Sequence, residues 1–200
     1  MGVIPAFVAR MEKKVSTNIY LVAYYSRQYR EVILNEVSLA GINSRDLVLN
    51  IGCGGIPYTA LSIASYTGAR VCAIDRDEEA IRAAHRCIKS LKMGDKVTAL
   101  AGDGSGAPPV KFDVAIVALQ AEPKKEILEN LIMQSKPGAR LIFRSPRHKS
   151  LNQYDSLPVV PVPSAKINQN KTTFNYSVLY EVPPNNPTCR ISGQIKSACS

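Results

Sequence analysis

The sequence predicts an α/β protein built on a largely parallel sheet with helices on both faces. Short apolar runs alternate with stretches of helical periodicity between residues 47 and 144, which is the pattern of repeated βαβ units. Glycines follow the first apolar run directly, and acidic residues end the next two runs. Open α/β sheets bind ligands at the carboxyl ends of their strands, so these residues mark a candidate site. The 200 residues are enough for one such domain with its own core.

The individual elements follow from the spacing of apolar residues and from the turn residues between them. Gly41 is expected to end the helical region that precedes the first strand, because glycine commonly ends helices. We predict strands over 47–52, 70–75, 96–103, 112–118, 139–144 and 172–182. Helical structure is expected over 7–40, with a second amphipathic stretch from about 26 to 40, and over 57–66, 77–91 and 123–134. The segment 145–170 is expected to be loop with a little structure. The chain then divides into an N-terminal helical segment (1–45), a sheet domain (46–182) and a loosely ordered tail (183–200).

The composition, 46% hydrophobic and 20% charged, is typical of a soluble globular protein. No apolar run reaches the roughly 18 residues of a membrane span, and the charged residues near the start do not fit a signal peptide. The cysteines are odd in number and not closely paired, unlike a disulfide framework or a zinc site. They are Cys53, Cys72, Cys87, Cys189 and Cys199. We therefore expect a reducing, cytoplasmic location and no bound metal.

The formal net charge of +9 would attract nucleic acid, membranes or anionic substrates. Lysine and arginine are scattered along the chain, however, and do not alternate with aromatic residues. A nucleic-acid-binding surface usually concentrates its basic residues on one face. The pattern therefore favours a small molecule over nucleic acid as the partner.

The segment Gly52-Cys53-Gly54-Gly55 stands between the first strand and a helix that opens at Pro57. Glycine lets the backbone turn sharply and approach a bound ligand closely. The segment departs from the dinucleotide pattern G-x-G-x-x-G, because Pro57 replaces the third glycine, and this argues against a dinucleotide. The alternative is that the glycines merely form a tight turn.

Two carboxylates follow the next two strands. Asp75 lies 23 positions after Gly52, near the spacing at which an acidic residue accepts hydrogen bonds from ribose hydroxyls. Asp103 ends the third strand, where its carboxylate could accept from an adenine amine. Either residue could instead serve as a cap or turn residue. Their occurrence with the glycine loop at three successive strand ends is more specific than any one of them.

This arrangement resembles the class I S-adenosylmethionine-dependent methyltransferase fold over roughly residues 45 to 182. The resemblance implies a Rossmann-like sheet with a late antiparallel strand, which would be 172–182. It also implies that S-adenosylmethionine is the cofactor, with its methionine end at the glycine loop, its ribose at Asp75 and its adenine near Asp103.

A narrower resemblance, over roughly residues 26 to 182, is to nicotianamine synthase and its archaeal and bacterial relatives. Gly52–Thr59 is similar to that family's G-x-G-P-L-P-x-T loop, with Gly55 in place of the first proline. The other similar segments are Ala121–Lys125, Leu141–Ser145, Ser164–Asn168 and, upstream, Tyr29–Glu31 with Asn35, Glu36 and Leu39. Those enzymes transfer the aminocarboxypropyl group of S-adenosylmethionine rather than its methyl group.

The resemblance assigns roles to individual residues. Tyr29 matches a tyrosine near the reacting centre, and Glu122 could bind a substrate amine or act as a base. Arg144 and Lys166 could hold a substrate carboxylate. The expected cofactor contacts are Gly52, Cys53, Gly54, Gly55, Pro57, Thr59, Asp75, Arg76, Asp103, Gly104 and Ala118. Alternatives remain: Tyr29 could be a packing residue, Glu122 could complement the dipole of the following helix, and Arg144 and Lys166 could be solvated cations.

The expected function is transfer of an aminocarboxypropyl group to the amine of a small acceptor. Only about 45 residues precede the first strand, whereas the family carries a larger N-terminal helical domain that supplies a catalytic glutamate. The resemblance therefore implies the cofactor of this protein but not its acceptor substrate. Three alternatives stay open: a small-molecule methyltransferase, an RNA methyltransferase, and a cofactor-binding protein without catalysis. A homodimer could complete the site by symmetry.

Overall fold

A computed structural model describes residues 19–184, and the side chains of residue 27 and residues 29–184. The helices in this range are α1 (Ile19–Ala40), α2 (Tyr58–Thr67), α3 (Glu78–Ser90) and α4 (Lys124–Gln134). The strands are β1 (Leu47–Ile51), β2 (Arg70–Asp75), β3 (Val97–Ala101), β4 (Val114–Val117), β5 (Arg140–Pro146), β6 (Ala165–Asn168) and β7 (Phe174–Glu181). A short 3₁₀ helix covers His148–Ser150.

The strands form one seven-stranded sheet in the order β3-β2-β1-β4-β5-β7-β6. Strands β1 to β5 are mutually parallel, whereas β7 runs antiparallel to both of its neighbours, β5 and β6. This arrangement confirms the predicted Rossmann-like sheet with a late antiparallel strand. The strand order reverses direction beside β1, so the crevice at the carboxyl ends of β1 and β4 is the switch point where such sheets bind ligands.

Alternate residues of each strand pack on opposite faces of the sheet, as the two-residue period of a strand requires. On one face, the strands pack against α1, α2 and α3 in a cluster that includes Ile33, Ile63 and Ile88. On the other face they pack against α4 through Leu128 and Leu131. Both faces of β4 are covered and all of its residues are buried, which explains its uninterrupted apolar sequence.

The helix boundaries follow local chemistry. Gly41 follows α1 with a φ of +59° and Gly68 follows α2 with a φ of +74°, the left-handed conformation that glycine adopts most readily. The Asp77 side chain caps α3 by accepting hydrogen bonds from the backbone N–H groups of Glu79 and Ala80. The predicted positions of Gly41 and Asp77 at helix ends are therefore confirmed.

The helical prediction over 7–40 is confirmed in its described part, where α1 is continuous from Ile19 to Ala40 and contains no glycine or proline that would interrupt it. The structure differs from the sequence prediction at one element. Strand β6 lies in the segment 145–170 that we predicted to be mainly loop. Its four residues are mostly exposed at the sheet edge, so they lack the apolar pattern that would reveal a strand.

Several predictions concern residues outside the described range, namely the helix at 7–18, Cys189 and Cys199, and the tail from residue 185. The three-part division of the chain stays a prediction. Cys53, Cys72 and Cys87 are buried side chains of the core. Within residues 19–184, no helix combines the length and apolarity needed to cross a membrane.

Candidate functional site

A cavity of about 550 Å³ opens at the carboxyl ends of β1 to β4. It is large enough for a nucleoside-sized ligand. Most of the residues predicted from the sequence lie in its wall. They are Tyr29, Gly52, Cys53, Gly54, Gly55, Thr59, Asp75, Arg76, Asp103, Gly104, Ala118, Glu122 and Arg144. Pro57 and Lys166 do not line it.

The glycine loop turns the chain from β1 into α2. Gly52 and Gly54 have φ angles of +76° and +67°, a region in which a side chain would be strained. A Cβ atom at Gly52 would also lie 3.3 Å from the Cβ atoms of Ala118 and Ala121. The N–H groups of Gly52 and Cys53 both donate to the carbonyl of Ile74 at 2.9 and 3.0 Å, which fixes the loop against the end of β2.

Asp75 holds the glycine loop to the loop that follows β2. Its Oδ2 accepts from the Gly54 N–H at 2.8 Å, and its Oδ1 accepts from the Asp77 N–H at 3.0 Å. A carboxylate offers about four lone-pair sites, so these bonds leave acceptor capacity towards the cavity. Asp75 therefore stabilises the two loops through its backbone contacts and also has acceptor capacity for a ligand.

Asp103 and Gly104 form the wall after β3. The Asp103 Oδ1 accepts from both the backbone N–H and the hydroxyl of Ser105 at 2.9 Å, and these bonds lower the pKa of the Asp103 carboxyl. Gly104 is buried, and a Cβ atom there would lie 2.6 Å from Cγ2 of Ile51. The chain can therefore pass this close to β1 only with glycine at position 104.

The loop between β4 and α4 forms the opposite wall and carries Ala118 and Glu122. The Gln120 side-chain amide donates to the Gly52 carbonyl at 3.0 Å, which connects this loop to the glycine loop. Glu122 is half exposed and lies 3.9 Å from Arg76 across the mouth of the cavity. Such an exposed ion pair is weak, so both groups are accessible to a ligand.

Glu122 does not cap α4. The first N–H of that helix, from Lys124, donates instead to the Asp155 carboxylate at 2.7 Å. The Lys124 side chain is fully buried, and its ammonium donates to the carbonyls of Leu119 and Ala121 at 2.7 and 3.2 Å. Burial lowers the pKa of Lys124 to about 8, although Asp155 and Glu122 oppose this shift. Lys124 thus supports the β4–α4 loop from behind.

Tyr29 projects from α1 into the cavity wall, where its ring centroid lies 4.8 Å from that of Tyr58. The Lys171 ammonium lies 5.4 Å from the Tyr29 centroid, a cation–π contact. Tyr154 lines the same part of the cavity. Aromatic side chains from α1, α2 and the segment after β5 therefore meet beside the glycine loop.

Arg144 differs most from its expected role. Its Nε and Nη2 donate to Oε1 and Oε2 of Glu36, both at 2.9 Å. The bidentate contact that we expected with a substrate carboxylate is thus made with Glu36 of α1. Glu36 is fully buried and Arg144 nearly so. Burial lowers the pKa of Arg144, but the neighbouring Glu36 carboxylate raises it, and the net effect is a raised pKa.

The other two departures are smaller. Pro57 is buried in the turn before α2 and precedes the first helical residue, so it shapes the loop rather than lining the cavity. Lys166 lies on the edge strand β6 with its ammonium 5.6 Å from the Tyr176 ring centroid. This position is outside the cavity wall, so the structure does not place Lys166 where a substrate contact requires it.

Sequence reasoning missed several residues of the wall. Tyr58, Leu119, Gln120, Gln153, Tyr154, Thr173 and Phe174 all line the cavity. Tyr58 lies within the recognised loop and Gln120 adjoins a recognised segment, so both could have been found from that proximity. Gln153, Tyr154, Thr173 and Phe174 belong to no recognised motif, and only the fold brings them over the strand ends.

A family model described as a methyltransferase domain matches residues 42–189. The chain belongs to this family. The match covers the whole sheet and every strand end that lines the cavity, and it confirms the predicted cofactor, S-adenosylmethionine.

Curated relatives of this methyltransferase-domain protein include L-histidine 2-aminobutanoyltransferase of Yersinia pestis. It is 27% identical over 120 residues, covering 60% of this chain and 45% of the relative. The probable cobalt-precorrin-6B C(15)-methyltransferase of Methanothermobacter thermautotrophicus is 34% identical over 108 residues, covering 52% of this chain and 54% of the relative. The chain spans about half the length of these relatives.

Solved structures share the fold. A variant of MtNAS in complex with S-adenosylmethionine superimposes with a TM-score of 0.77 at 22% identity, covering 88% of this chain and 72% of that one. An RNA methyltransferase from Salinibacter ruber in complex with S-adenosyl-L-homocysteine gives a TM-score of 0.64 at 18% identity. The match covers 76% of this chain and 91% of that one. The fold of this chain is thus shared with MtNAS and with an RNA methyltransferase, and a shared fold does not by itself fix the activity.

The wall of the cavity fits S-adenosylmethionine on its own chemistry. Glycine at positions 52 and 104 lets the backbone itself form the wall, because a Cβ atom there would lie 3.3 Å from Ala118 and 2.6 Å from Ile51. Two carboxylates, Asp75 and Asp103, stand at adjacent strand ends as acceptors for hydroxyl and amine donors.

Proposed function

We propose that this protein is an S-adenosylmethionine-dependent transferase that moves the aminocarboxypropyl group to the amine of a small acceptor. Support comes from the position of Tyr29, the tyrosine that the resemblance assigns to the reacting centre. It lies against Tyr58, the first residue of α2. Tyr29 thus adjoins the glycine loop, where the methionine end of the cofactor is expected, and that end carries the transferred group.

The glycine loop, Asp75 and Asp103 would hold the cofactor. In this proposal, Gly52, Cys53, Gly54 and Gly55 surround the methionine end, Asp75 accepts from the ribose hydroxyls, and Asp103 accepts from the adenine amine. Thr59, Arg76, Gly104 and Ala118 complete the wall. When bound, S-adenosylmethionine supplies carbons activated by a neighbouring sulfonium.

Tyr29 and Glu122 would act on the acceptor. An attacking amine must be neutral, so a nearby group has to accept its proton. The Glu122 carboxylate stands at the mouth of the cavity, half exposed and in weak contact with Arg76, which suits a group that receives an entering amine. The Tyr29 hydroxyl would orient that amine next to the methionine end.

The comparisons support the same group. One relative is named for transfer of a 2-aminobutanoyl group to L-histidine, and MtNAS shares the fold. A small amino acid is therefore the acceptor class that we propose. Methyl transfer to a small molecule is the second candidate, and it is favoured by the 34% identity to a methyltransferase that acts on a cobalt precorrin.

Product analysis tests the proposal. The purified protein is incubated with S-adenosylmethionine and a panel of amino acids that includes L-histidine, and the nucleoside product is identified by mass spectrometry. Aminocarboxypropyl transfer leaves methylthioadenosine, and methyl transfer leaves S-adenosylhomocysteine. Acceptor-dependent release of methylthioadenosine is the expected result. Release of S-adenosylhomocysteine would favour the second candidate instead.

The role of Tyr29 is tested by the Tyr29→Phe variant. If the hydroxyl orients the acceptor, turnover falls more than cofactor affinity does. Unchanged turnover would show that Tyr29 is a packing residue.

A further inference from the structure

A largely buried polar cluster stands at the glycine-loop side of the cavity. It consists of Tyr58, Thr59 and Arg144, which line the cavity, and of Glu36 behind them. We propose that the Tyr58 hydroxyl, held in place by Arg144, donates a hydrogen bond to the α-carboxylate of S-adenosylmethionine. The proposal rests on the cofactor part of the proposed function and holds whichever group is transferred.

The orientation of Tyr58 follows from the contacts of Arg144. The Arg144 Nη1 lies 3.3 Å from the Tyr58 hydroxyl oxygen, and its Nη2 lies 3.2 Å from the Thr59 hydroxyl oxygen. Because a guanidinium only donates hydrogen bonds, the Tyr58 oxygen is the acceptor in this contact. The Thr59 side chain is a second hydrogen-bond partner of the Tyr58 hydroxyl, and its contact lowers the pKa of Tyr58, as a donor to the phenol oxygen does. With both neighbours donating to its oxygen, Tyr58 has its own proton to donate, and Tyr58 lines the cavity.

Arg144 itself is fixed in the cavity wall, because Glu36 binds one edge of its guanidinium through two hydrogen bonds. Both Nε and Nη2 are bonded to the Glu36 carboxylate at 2.9 Å. Oε1 of Glu36 also accepts from the Ser177 hydroxyl at 2.7 Å. The cation is thus fixed in place and fixes the Tyr58 hydroxyl in turn.

The charge state of the cluster suits a zwitterionic ligand. Burial raises the pKa of Tyr58 to about 12, with Arg144 opposing the shift, so the hydroxyl keeps its proton at neutral pH. Glu36 cancels the charge of Arg144, and the wall therefore attracts a carboxylate through a donor without repelling an adjacent α-ammonium. The methionine end of S-adenosylmethionine carries both of these groups.

The position of Tyr58 favours the methionine carboxylate over other parts of the ligand. Tyr58 directly follows the glycine loop, at the start of α2. The Gly54 N–H, a donor of that loop, is already bonded to Asp75. Asp75 and Asp103 are anions that would repel a carboxylate, so the carboxylate end of the ligand belongs at the Tyr58 side of the loop.

A two-by-two binding experiment tests the proposal. Calorimetry compares S-adenosylmethionine with its decarboxylated analogue, on the full chain and on Tyr58→Phe. Loss of a hydrogen bond to a charged group weakens binding by roughly tenfold or more. We expect that loss for S-adenosylmethionine, and a change within about twofold for the analogue, which has no carboxylate to bind. Tyr66→Phe, the same substitution at the exposed far end of α2, should change neither affinity.

Four results would overturn the proposal. Equal weakening of both ligands would make Tyr58 a structural residue, and no weakening of either would show that its hydroxyl does not touch the ligand. Unchanged cofactor affinity with a raised KM for an amino-acid acceptor would assign the carboxylate to the acceptor. If Tyr58→Phe does not fold, Tyr58→Met removes the same hydroxyl and replaces it in the experiment. Equal affinity of the unmodified chain for S-adenosylmethionine and for its decarboxylated analogue would also overturn the proposal. None of these results depends on which nucleoside product the enzyme releases.

Discussion

The two walls of the cavity differ in the groups that form them and in how deeply those groups are buried. The strand-end wall, from Gly52 to Gly104, consists of backbone at positive φ and of carboxylates that reach solvent. The helix wall joins α1 and α2 to β5 through the buried pair of Glu36 and Arg144. Asp75 binds partners 2 and 21 positions away, whereas the partners in the Glu36–Arg144 pair are 108 positions apart.

Because of this difference, we expect the two sets of charged residues to have different roles, one in ligand binding and the other in the stability of the fold. The carboxylates of the strand-end wall can be removed with little cost to the core, since they are partly solvated. The ions of the helix wall are deeply buried, so removal of one leaves the other without compensation. Substitution of a strand-end carboxylate is therefore expected to change mainly affinity, and substitution of a buried ion of the helix wall to change mainly stability.

Glu36→Gln should have the largest effect. It leaves the Arg144 guanidinium buried without its counter-ion, and loss of one partner of a buried pair costs about 3–5 kcal/mol. Chemical denaturation measures the free energy of unfolding. Glu31→Gln is the matched control, because Glu31 is exposed on the same helix and should change stability by no more than about 0.5 kcal/mol. Equal effects of the two substitutions would show that the buried pair contributes no special stability.

Asp75→Ala should weaken S-adenosylmethionine binding by about 1.5–3 kcal/mol, because a charged acceptor for the ribose hydroxyls is lost. The variant should remain folded, since its two backbone contacts lie on loops. Calorimetric titration gives the affinity, with Asp95→Ala on the α3–β3 turn as the control. Unchanged affinity in a folded Asp75 variant would remove this residue from the binding site.

Gly104→Ala tests the close approach of the third strand end to the first. The added methyl would lie 2.6 Å from Cγ2 of Ile51, and overpacking of this kind costs about 1–3 kcal/mol. Both the melting temperature and the cofactor affinity should fall. Gly94→Ala is the control, because a Cβ atom there has nothing within 4 Å, and it should be nearly neutral.

Lys124 gives the smallest expected effect, and a pH-dependent one. Burial lowers its pKa to about 8 from 10.5, so between these values the unfolded chain binds the proton more than the folded chain does. The contribution of this group to stability therefore rises with pH across that window and is lost as the pH falls through 8. The free energy of unfolding is compared for the unmodified protein and for Lys124→Met. The difference should shift in favour of the unmodified protein by on the order of 1 kcal/mol between pH 8 and 10. A difference that does not change with pH would contradict this.

The same contrast explains what the sequence could reveal. Strand–helix alternation and the glycine and aspartate motifs are local signals, and they predicted the sheet and the strand-end wall. Strand β6 is too short and too exposed to carry a period-two pattern. Arg144 was expected to face a substrate because nothing in the sequence links it to Glu36. Tyr58 was likewise unremarked, although it adjoins the glycine loop, because its partner Arg144 is 86 positions away.

Whether the cavity binds S-adenosylmethionine is decided by calorimetric titration of the purified chain with S-adenosylmethionine, methylthioadenosine and S-adenosylhomocysteine. We expect S-adenosylmethionine to bind at one site per chain, with a loss of affinity in Asp75→Ala. Tighter binding of methylthioadenosine than of S-adenosylhomocysteine would agree with aminocarboxypropyl transfer. Failure of all three ligands to bind a folded protein would mean that the glycine loop and both aspartates are structural, and would contradict the account.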